Sequence, residues 1–189
     1  MKVKIEDLNG QKIFIIDDFL KEDVIANFHE YANALPYRRH QKDFEGDPFL
    51  YYSAHFDGDK FKTSHPIGKA SWKLFTDFIG EVDQYSVEEA YVNLLKYGDM
   101  QFLHRDCDTT DKHITVLYYI NQTWDYTWGG ETIFYHNGDS VFGVLPKPGR
   151  FVIFPGFVEH TAGLPSANCN ETRLSLALKI RLKEPTYEK

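Results

Sequence analysis

Apolar positions in the first third of the chain recur at spacings of three and four. Leu20, Val24, Phe28, Tyr31 and Leu35 form such a stripe, with Asp17 and Asp18 before it as an acidic cap and Pro36 behind it, so an amphipathic helix is predicted over 19–35. Ser64 then stands before Pro66, and Ala70, Leu74, Phe75, Phe78 and Ile79 make a second stripe that stops at Gly80. Between the two, residues 37–63 carry Arg38, Arg39, His40, two glycines and an aromatic run from Phe49 to Tyr52, which reads as a strand within long loops and suits a substrate lid.

From Glu88 onward the period changes. Short runs of β-branched and aromatic residues predict strands at 90–97, 113–121, 131–136, 140–145, 150–154 and 173–182. Gly129-Gly130, Asn137-Gly138-Asp139 and Pro146-Lys147-Pro148-Gly149 punctuate them as turns. Adding 12–16 and 49–55 gives eight strands, enough for the two packed antiparallel sheets of a jelly roll. The fold class expected is therefore mainly β, a double-stranded β-helix with N-terminal supporting helices against one outer face (α+β). A single domain over 1–189 is expected, with a helical N-terminal part at 1–87 and a jelly-roll core at 88–183.

Composition narrows the function classes. Acidic residues outnumber basic ones 28 to 21, for a net charge of −7, and no stretch gathers Lys and Arg into a stripe, which argues against nucleic acid as a direct partner. Residues 1–7 alternate charge with single apolar residues and lack the core of a secretory signal; no run approaches the roughly 20 apolar residues of a membrane span. Only Cys107 and Cys169 are present, too few for a disulfide framework and not spaced as a zinc pair, so a cytoplasmic setting is expected, with one bridge between them as the alternative. Oligomeric state has no signature in the sequence.

The candidate chemistry lies in His104-Arg105-Asp106, followed 54 residues after Asp106 by His160 and 13 residues later by Arg173. On an extended backbone, side chains two apart leave in the same direction, so His104 and Asp106 can meet one metal. His160, just beyond the run 150–154, is placed for an antiparallel neighbour to deliver it as a third ligand. Two imidazoles and one carboxylate form the ligand set of a non-haem Fe(II) site with open positions. H-x-D alone is a weak signal. His-Arg-Asp also occurs in kinase catalytic loops, but G-x-G-x-x-G and D-F-G are absent and the chain is too short.

The setting of these residues carries the specificity. Tyr97-Gly98, His104-Arg105-Asp106, the run from Ile114 to Asn121, Trp128-Gly129-Gly130-Glu131-Thr132, the run from Lys147 to Pro155, His160, and Arg173-Leu174-Ser175-Leu176 occur in one order. That order resembles the Fe(II)- and 2-oxoglutarate-dependent dioxygenases of the prolyl-4-hydroxylase type, over about 90–180, and Ile16-Asp17-Asp18-Phe19-Leu20 resembles the family's approach to its first helix. The resemblance implies that His104, Asp106 and His160 bind Fe(II), that 2-oxoglutarate and O2 are co-substrates, and it admits ascorbate. It implies oxidative decarboxylation of 2-oxoglutarate to succinate and CO2, coupled to hydroxylation of an unactivated C–H bond. Asp106 favours hydroxylation over halogenation, which needs a small residue at that position. Arg173, whose planar fork can hold a carboxylate in a bidentate way, would grip the distal end of 2-oxoglutarate, with Ser175 on the same side and Tyr119 as the family's second contact. Asn93 and Tyr97 are further pocket candidates on the strand leading to the metal. Trp124, Tyr126 and Trp128 would either hold substrate or cover a sheet edge, while His55, His65, His113 and His136 fall outside the ligand pattern.

The expected substrate is a prolyl or other amino-acid-type group, peptidyl or free. Another small molecule, such as a metabolite or natural product, is the alternative, because the segments that would set specificity match nothing assignable. A non-catalytic jelly-roll module that keeps the ligands is a rival that Arg173 argues against. A cupin-type enzyme using Mn(II) or Zn(II) would be expected to carry more histidine ligands.

Overall fold

The computed structural model describes residues 1–42, 45–46, 48–80, 82–99 and 101–183. Its strands are β1 (Lys2–Leu8), β2 (Gln11–Asp17), β3 (Arg38–Gln41), β4 (Tyr51–Phe56), β5 (Tyr85–Leu95), β6 (Ile114–Tyr119), β7 (Thr132–His136), β8 (Asp139–Val144), β9 (Phe151–Pro155), β10 (His160–Ala162) and β11 (Arg173–Leu182). Three helices, α1 (Glu22–Asn33), α2 (Gly58–Ser64) and α3 (Pro66–Ile79), lie between β2 and β5 in the chain. An eight-stranded sheet runs in the order β1-β2-β9-β6-β11-β5-β4-β3, and a three-stranded sheet in the order β10-β7-β8. All pairings are antiparallel.

The alternation of side chains along the large sheet separates two cores. On its outer face, Val116, Tyr118, Leu174, Leu176 and Leu178 pack with Phe28 and Ala32 of α1 and Leu74 and Phe75 of α3. Its inner face contributes Ile13, Ile15, Leu117, Tyr119, Val152, Phe154 and Ala177, which meet Phe134 and Val144 of the small sheet. Because a one-residue slip would exchange these two sets, the register of the large sheet is strongly specified.

Several expectations shift. Strands β1, β3 and β10 and helix α2 were not anticipated. The expected division at 87/88 falls inside β5, and β1 to β4 extend the same large sheet that carries the core strands. Asp17 does not cap α1: it ends β2 and holds Arg150 through two bonds of 2.8 Å, tying the end of β2 to the start of β9, since a guanidinium offers a carboxylate two charged donors where a cap offers one amide. Helix α1 instead starts at Glu22, with Glu22 and Asp23 in the first turn where the dipole favours them. For α3, His65 rather than Ser64 is the N-cap, its Nδ1 accepting from the Ile67 amide at 3.2 Å, and the helix stops at Gly80 as expected. The 37–63 segment resolves into β3, β4 and α2; Asp43, Phe44 and Asp47, within the expected lid, lie outside the described residues.

Candidate active site

His104 and His160 face one another as an antiparallel bridge, each amide donating to the other's carbonyl at 3.0 Å. Their Nδ1 atoms lie 2.9 Å from the carbonyls of Phe102 and Val158, respectively. A carbonyl only accepts, so both Nδ1 atoms carry a proton, and in the neutral ring this leaves the lone pair on Nε2. Those Nε2 atoms stand 3.6 Å and 3.7 Å from the two carboxylate oxygens of Asp106. The three donor groups lie within 4.8 Å of one another, which is the clustering a metal ion requires.

Asp106 is itself held. Its amide donates to the Gly156 carbonyl at 2.7 Å, while the Thr115 hydroxyl and the Lys179 ammonium both bond to Oδ2, leaving Oδ1 turned toward His104. Burial acts to raise the Asp106 pKa, but Lys179, His160 and His104 together outweigh it and hold the carboxyl well below the usual carboxylate range. Burial pushes the His160 imidazole down to about 4, so it is neutral and available as a ligand at ordinary pH. For Lys179 burial disfavours the ammonium, yet the adjoining Asp106 carboxylate and Tyr91 hydroxyl keep its pKa above the ordinary lysine value.

A second charged group lies deeper along β11. Arg173 is 1% exposed. Its Nε donates to the Gly130 carbonyl at 2.7 Å, Nη1 to the Ser175 hydroxyl at 3.1 Å and Nη2 to the Thr132 hydroxyl at 3.2 Å. Among the described residues no carboxylate pairs with it, and burial lowers its pKa without removing the charge. The Gly130 position is dictated by this contact: at φ +78° a Cβ there would stand 3.0 Å from the Trp124 ring and 3.3 Å from Arg173 Cδ. Thr132 Oγ1 accepts from Arg173 and from the Tyr119 hydroxyl (2.7 Å), so its own proton is free to donate into the cavity that Thr132, Arg173, Ser175, Asn93 and the two histidines line. Asn93 Oδ1 in that cavity is buried without a hydrogen-bond partner.

Solved structures resemble this architecture. A Pseudomonas putida prolyl-4-hydroxylase superposes with a TM-score of 0.65 at 18% identity, covering 91% of this chain and 93% of that one. A Trichoplax adhaerens prolyl hydroxylase in complex with a hypoxia-inducible factor peptide gives 0.63 at 19% identity, with 89% and 83% covered. The non-heme α-ketoglutarate-dependent epimerase SnoN from nogalamycin biosynthesis gives 0.64 at 14% identity, with 89% and 78% covered. No curated protein sequence matches the chain. Residues 92–181 match the family model of the 2OG-Fe(II) oxygenase superfamily. That match spans the strand-rich core, from β5 to β11.

The superfamily works with Fe(II), 2-oxoglutarate and O2, and the donor chemistry here suits two of them. Two imidazoles and one ionised carboxylate match a ferrous ion. A buried guanidinium without an anionic partner, beside two hydroxyls with protons to donate, matches the distal carboxylate of a keto-diacid.

Of the residues singled out in the sequence, the structure brings His104, His160, Arg173, Ser175 and Asn93 to one cavity, with Asp106 clustered against the two histidines. Tyr97 departs from expectation: it sits beyond the end of β5 and is 68% exposed, because the strand ends at Leu95 and the backbone turns at Gly98 (φ +90°). Tyr119 does not line the cavity; its hydroxyl contacts Thr132 and the Val144 carbonyl, and its ring lies 5.3 Å from the Arg173 guanidinium carbon, so it backs the arginine. Trp124 covers the Arg173 end of the site, with its Nε1 donating to the Gly129 carbonyl at 2.9 Å, while Tyr126 is exposed.

Sequence reasoning missed Thr115, Thr132, Tyr91 and Lys179. Lys179 had a signal, since it shares the parity of Arg173 and Ser175 on one strand. A further group, Cys107, Asp111 and His113, also brings donor atoms within 4.8 Å, and burial pushes the Cys107 thiol up to about 11. Both cysteines are free thiols. Among the described residues no helix is long and apolar enough to cross a membrane.

Proposed function

We propose that the protein is a 2-oxoglutarate-dependent hydroxylase in which His104, Asp106 and His160 hold Fe(II) and Arg173, with Ser175 and Thr132, holds the distal carboxylate of 2-oxoglutarate. The observation that carries this reading is the buried, anion-less guanidinium of Arg173 in the same cavity as the His-Asp-His cluster. A bound ferrous ion and its keto-acid supply the oxidising chemistry. The chain's own residues do the rest. The Phe102 and Val158 carbonyls lock both imidazoles in the ligating tautomer, and Thr115 and Lys179 orient the carboxylate. Arg173 fixes the keto-acid from its far end, which sets the direction in which its reactive end meets the metal ligands.

The substrate proposed is an amino-acid-type group. Two of the similar structures are prolyl hydroxylases, and one of those is described with a peptide, which supports the class without naming the molecule. The outer cleft that leads to the metal ligands, about 730 Å³, has room for either a free amino acid or a peptide residue. Two reduced thiols fit a cytoplasmic setting.

The test is direct. Anaerobic protein given Fe(II) and 2-oxoglutarate should develop a weak visible charge-transfer band, and admitting O2 should yield succinate. Asp106→Ala should abolish both, and a variant that binds Fe(II) and turns over like the wild type would refute the assignment.

A further inference from the structure

Strand β11 directs Arg173, Ser175, Ala177 and Lys179 toward the small sheet, as their partners Tyr119, Leu117 and Thr115 on β6 confirm by register. Arg173 and Lys179 are therefore six residues apart, about 20 Å along the strand, and Lys179 lies at the metal-ligand end. Four side chains, Tyr51, Tyr91, His104 and Lys179, line both the inner cavity and the outer cleft. They form the throat through which anything in the cleft approaches the metal ligands.

Charge in this throat is unbalanced. Among the described residues Asp106 is the one carboxylate that bonds to either cation, with Arg173 fully buried and Lys179 nearly so, while Glu89 acts on Lys179 only through space from the exposed cleft wall. A dipositive metal and a dianionic keto acid cancel one another, so one positive charge remains when both are bound, and an uncompensated buried charge is unfavourable. Arg173 is oriented toward the far end of the keto acid. The excess therefore falls to Lys179, whose ammonium has three donors, one directed at Asp106 and a second facing the Tyr91 hydroxyl.

We propose, building on the oxygenase reading, that Lys179 receives a carboxylate of the primary substrate. The protein would then oxidise a small molecule with a free carboxylate close to the reacting carbon, a free amino acid or a related acid, and not an interior residue of a peptide. Because Lys179 touches a metal ligand, a carboxylate bound to it lies within a few bonds of the metal. Glu89, Asp108 and Asp111 on the cleft walls beyond suit a cationic amino group at the substrate's outer end.

The experiment uses the whole protein with Fe(II) and 2-oxoglutarate under nitrogen. The charge-transfer band is followed while each of the twenty free L-amino acids, and then the corresponding amides, is titrated in. The wild type should respond to at least one free acid, about 10–100-fold more tightly than to its amide, as expected for one hydrogen bond to a charged group. Lys179→Met should erase that difference, with Fe(II) affinity measured separately because Lys179 also orients Asp106; Lys179→Arg should keep part of it. A wild-type band that responds to no free acid, or equally to acids and amides, overturns the proposal without needing any variant to fold. Lys179→Met that weakens Fe(II) and leaves the acid-to-amide ratio intact overturns it too, and makes Lys179 a positioning residue for Asp106 alone. If no band forms in the wild type with Fe(II) and 2-oxoglutarate, the oxygenase reading itself fails, and this proposal with it.

Discussion

Replacing Arg173 by methionine separates an arginine that serves a ligand from one that serves the fold. In the folded protein without ligands, the guanidinium makes three hydrogen bonds, to Gly130, Ser175 and Thr132, each contributing about 1 kcal/mol and somewhat more for a charged donor. Against these stands the desolvation of a cation that is 1% exposed and has no carboxylate partner, a cost of several kcal/mol. The two contributions nearly cancel. Methionine refills most of the volume, Thr132 keeps its bond from Tyr119, and the Gly130 carbonyl and the Ser175 hydroxyl lose their bonds from Arg173. Unfolding in urea should therefore show the ligand-free variant within about 2 kcal/mol of the wild type.

With 2-oxoglutarate the balance differs, because the variant leaves a carboxylate buried without its counter-charge. Truncating one member of such a pair costs roughly 2–5 kcal/mol, about 30- to 4000-fold in dissociation constant. The charge-transfer titration measures this, and a thermal melt gives an independent check: 2-oxoglutarate at about 100 times its wild-type dissociation constant should add roughly 2.7 kcal/mol to the wild type and little to the variant. Fe(II) affinity should change little. A variant that loses more than about 4 kcal/mol without ligand, while binding 2-oxoglutarate within about threefold of the wild type, would show that Arg173 is structural and would refute the reasoning.

Three other outcomes are expected. Asp17→Asn should destabilise by about 2–4 kcal/mol at neutral pH, since it leaves Arg150 largely buried without its counter-ion. Bonding to Arg150 depresses the folded-state pKa of Asp17, so its contribution is present above the unfolded carboxyl pKa near 4 and fades as pH falls through the folded value. The gap between wild-type and variant urea midpoints should hold from pH 7 to about pH 5 and shrink below about pH 4; a gap unchanged at pH 3 would refute this. Gly130→Ala should cost about 1–3 kcal/mol from the positive φ and the crowding of Trp124, and should weaken 2-oxoglutarate binding at least about tenfold by displacing Arg173, with unchanged affinity as the contrary result. Tyr97→Ala should leave 2-oxoglutarate affinity and succinate formation within about twofold, because the side chain is exposed and outside the cavity; a large loss would place it in the site after all.

How much of this was legible varied with how local the signal was. The strand at 173–182 matches β11 at both ends, because alternation between a polar inner face and a leucine-rich outer face is a strong period-two signal. Helix α3 was framed by its proline and glycine. Strand β1 was lost although Asn9-Gly10 announces a hairpin: it pairs along its full length with β2, yet Val3 and Ile5 are exposed and only Leu8 of the strand is buried. Strand β10 is three residues long, and only its pairing with β7 defines it. In the site, the ligands were readable from motif order, but the partners that tune them were not. Thr115, Thr132 and Gly130 act through contacts between strands 9 to 43 residues apart in sequence, and no local pattern marks such contacts. Tyr119 illustrates the converse: the motif found the right position, but register sent its hydroxyl to Thr132 and Val144.

The division of the large sheet into two faces accounts for how a small protein tolerates such a site. The inner face carries a buried guanidinium, a nearly buried ammonium held against the Asp106 carboxylate and an unpartnered amide oxygen, each unfavourable unless paired. Stability must then come chiefly from the outer face, where the β6 and β11 residues of opposite parity are apolar against α1 and α3 apart from the Tyr118 hydroxyl. The same strands thus stabilise with one set of side chains and bind with the other. Apolar substitutions toward the helices, such as Leu176→Ala, should act on folding and leave ligand affinities alone, whereas changes one residue away, at Ser175 or Ala177, should do the reverse. Period two, which made β11 easy to find, is also what lets one strand serve both purposes.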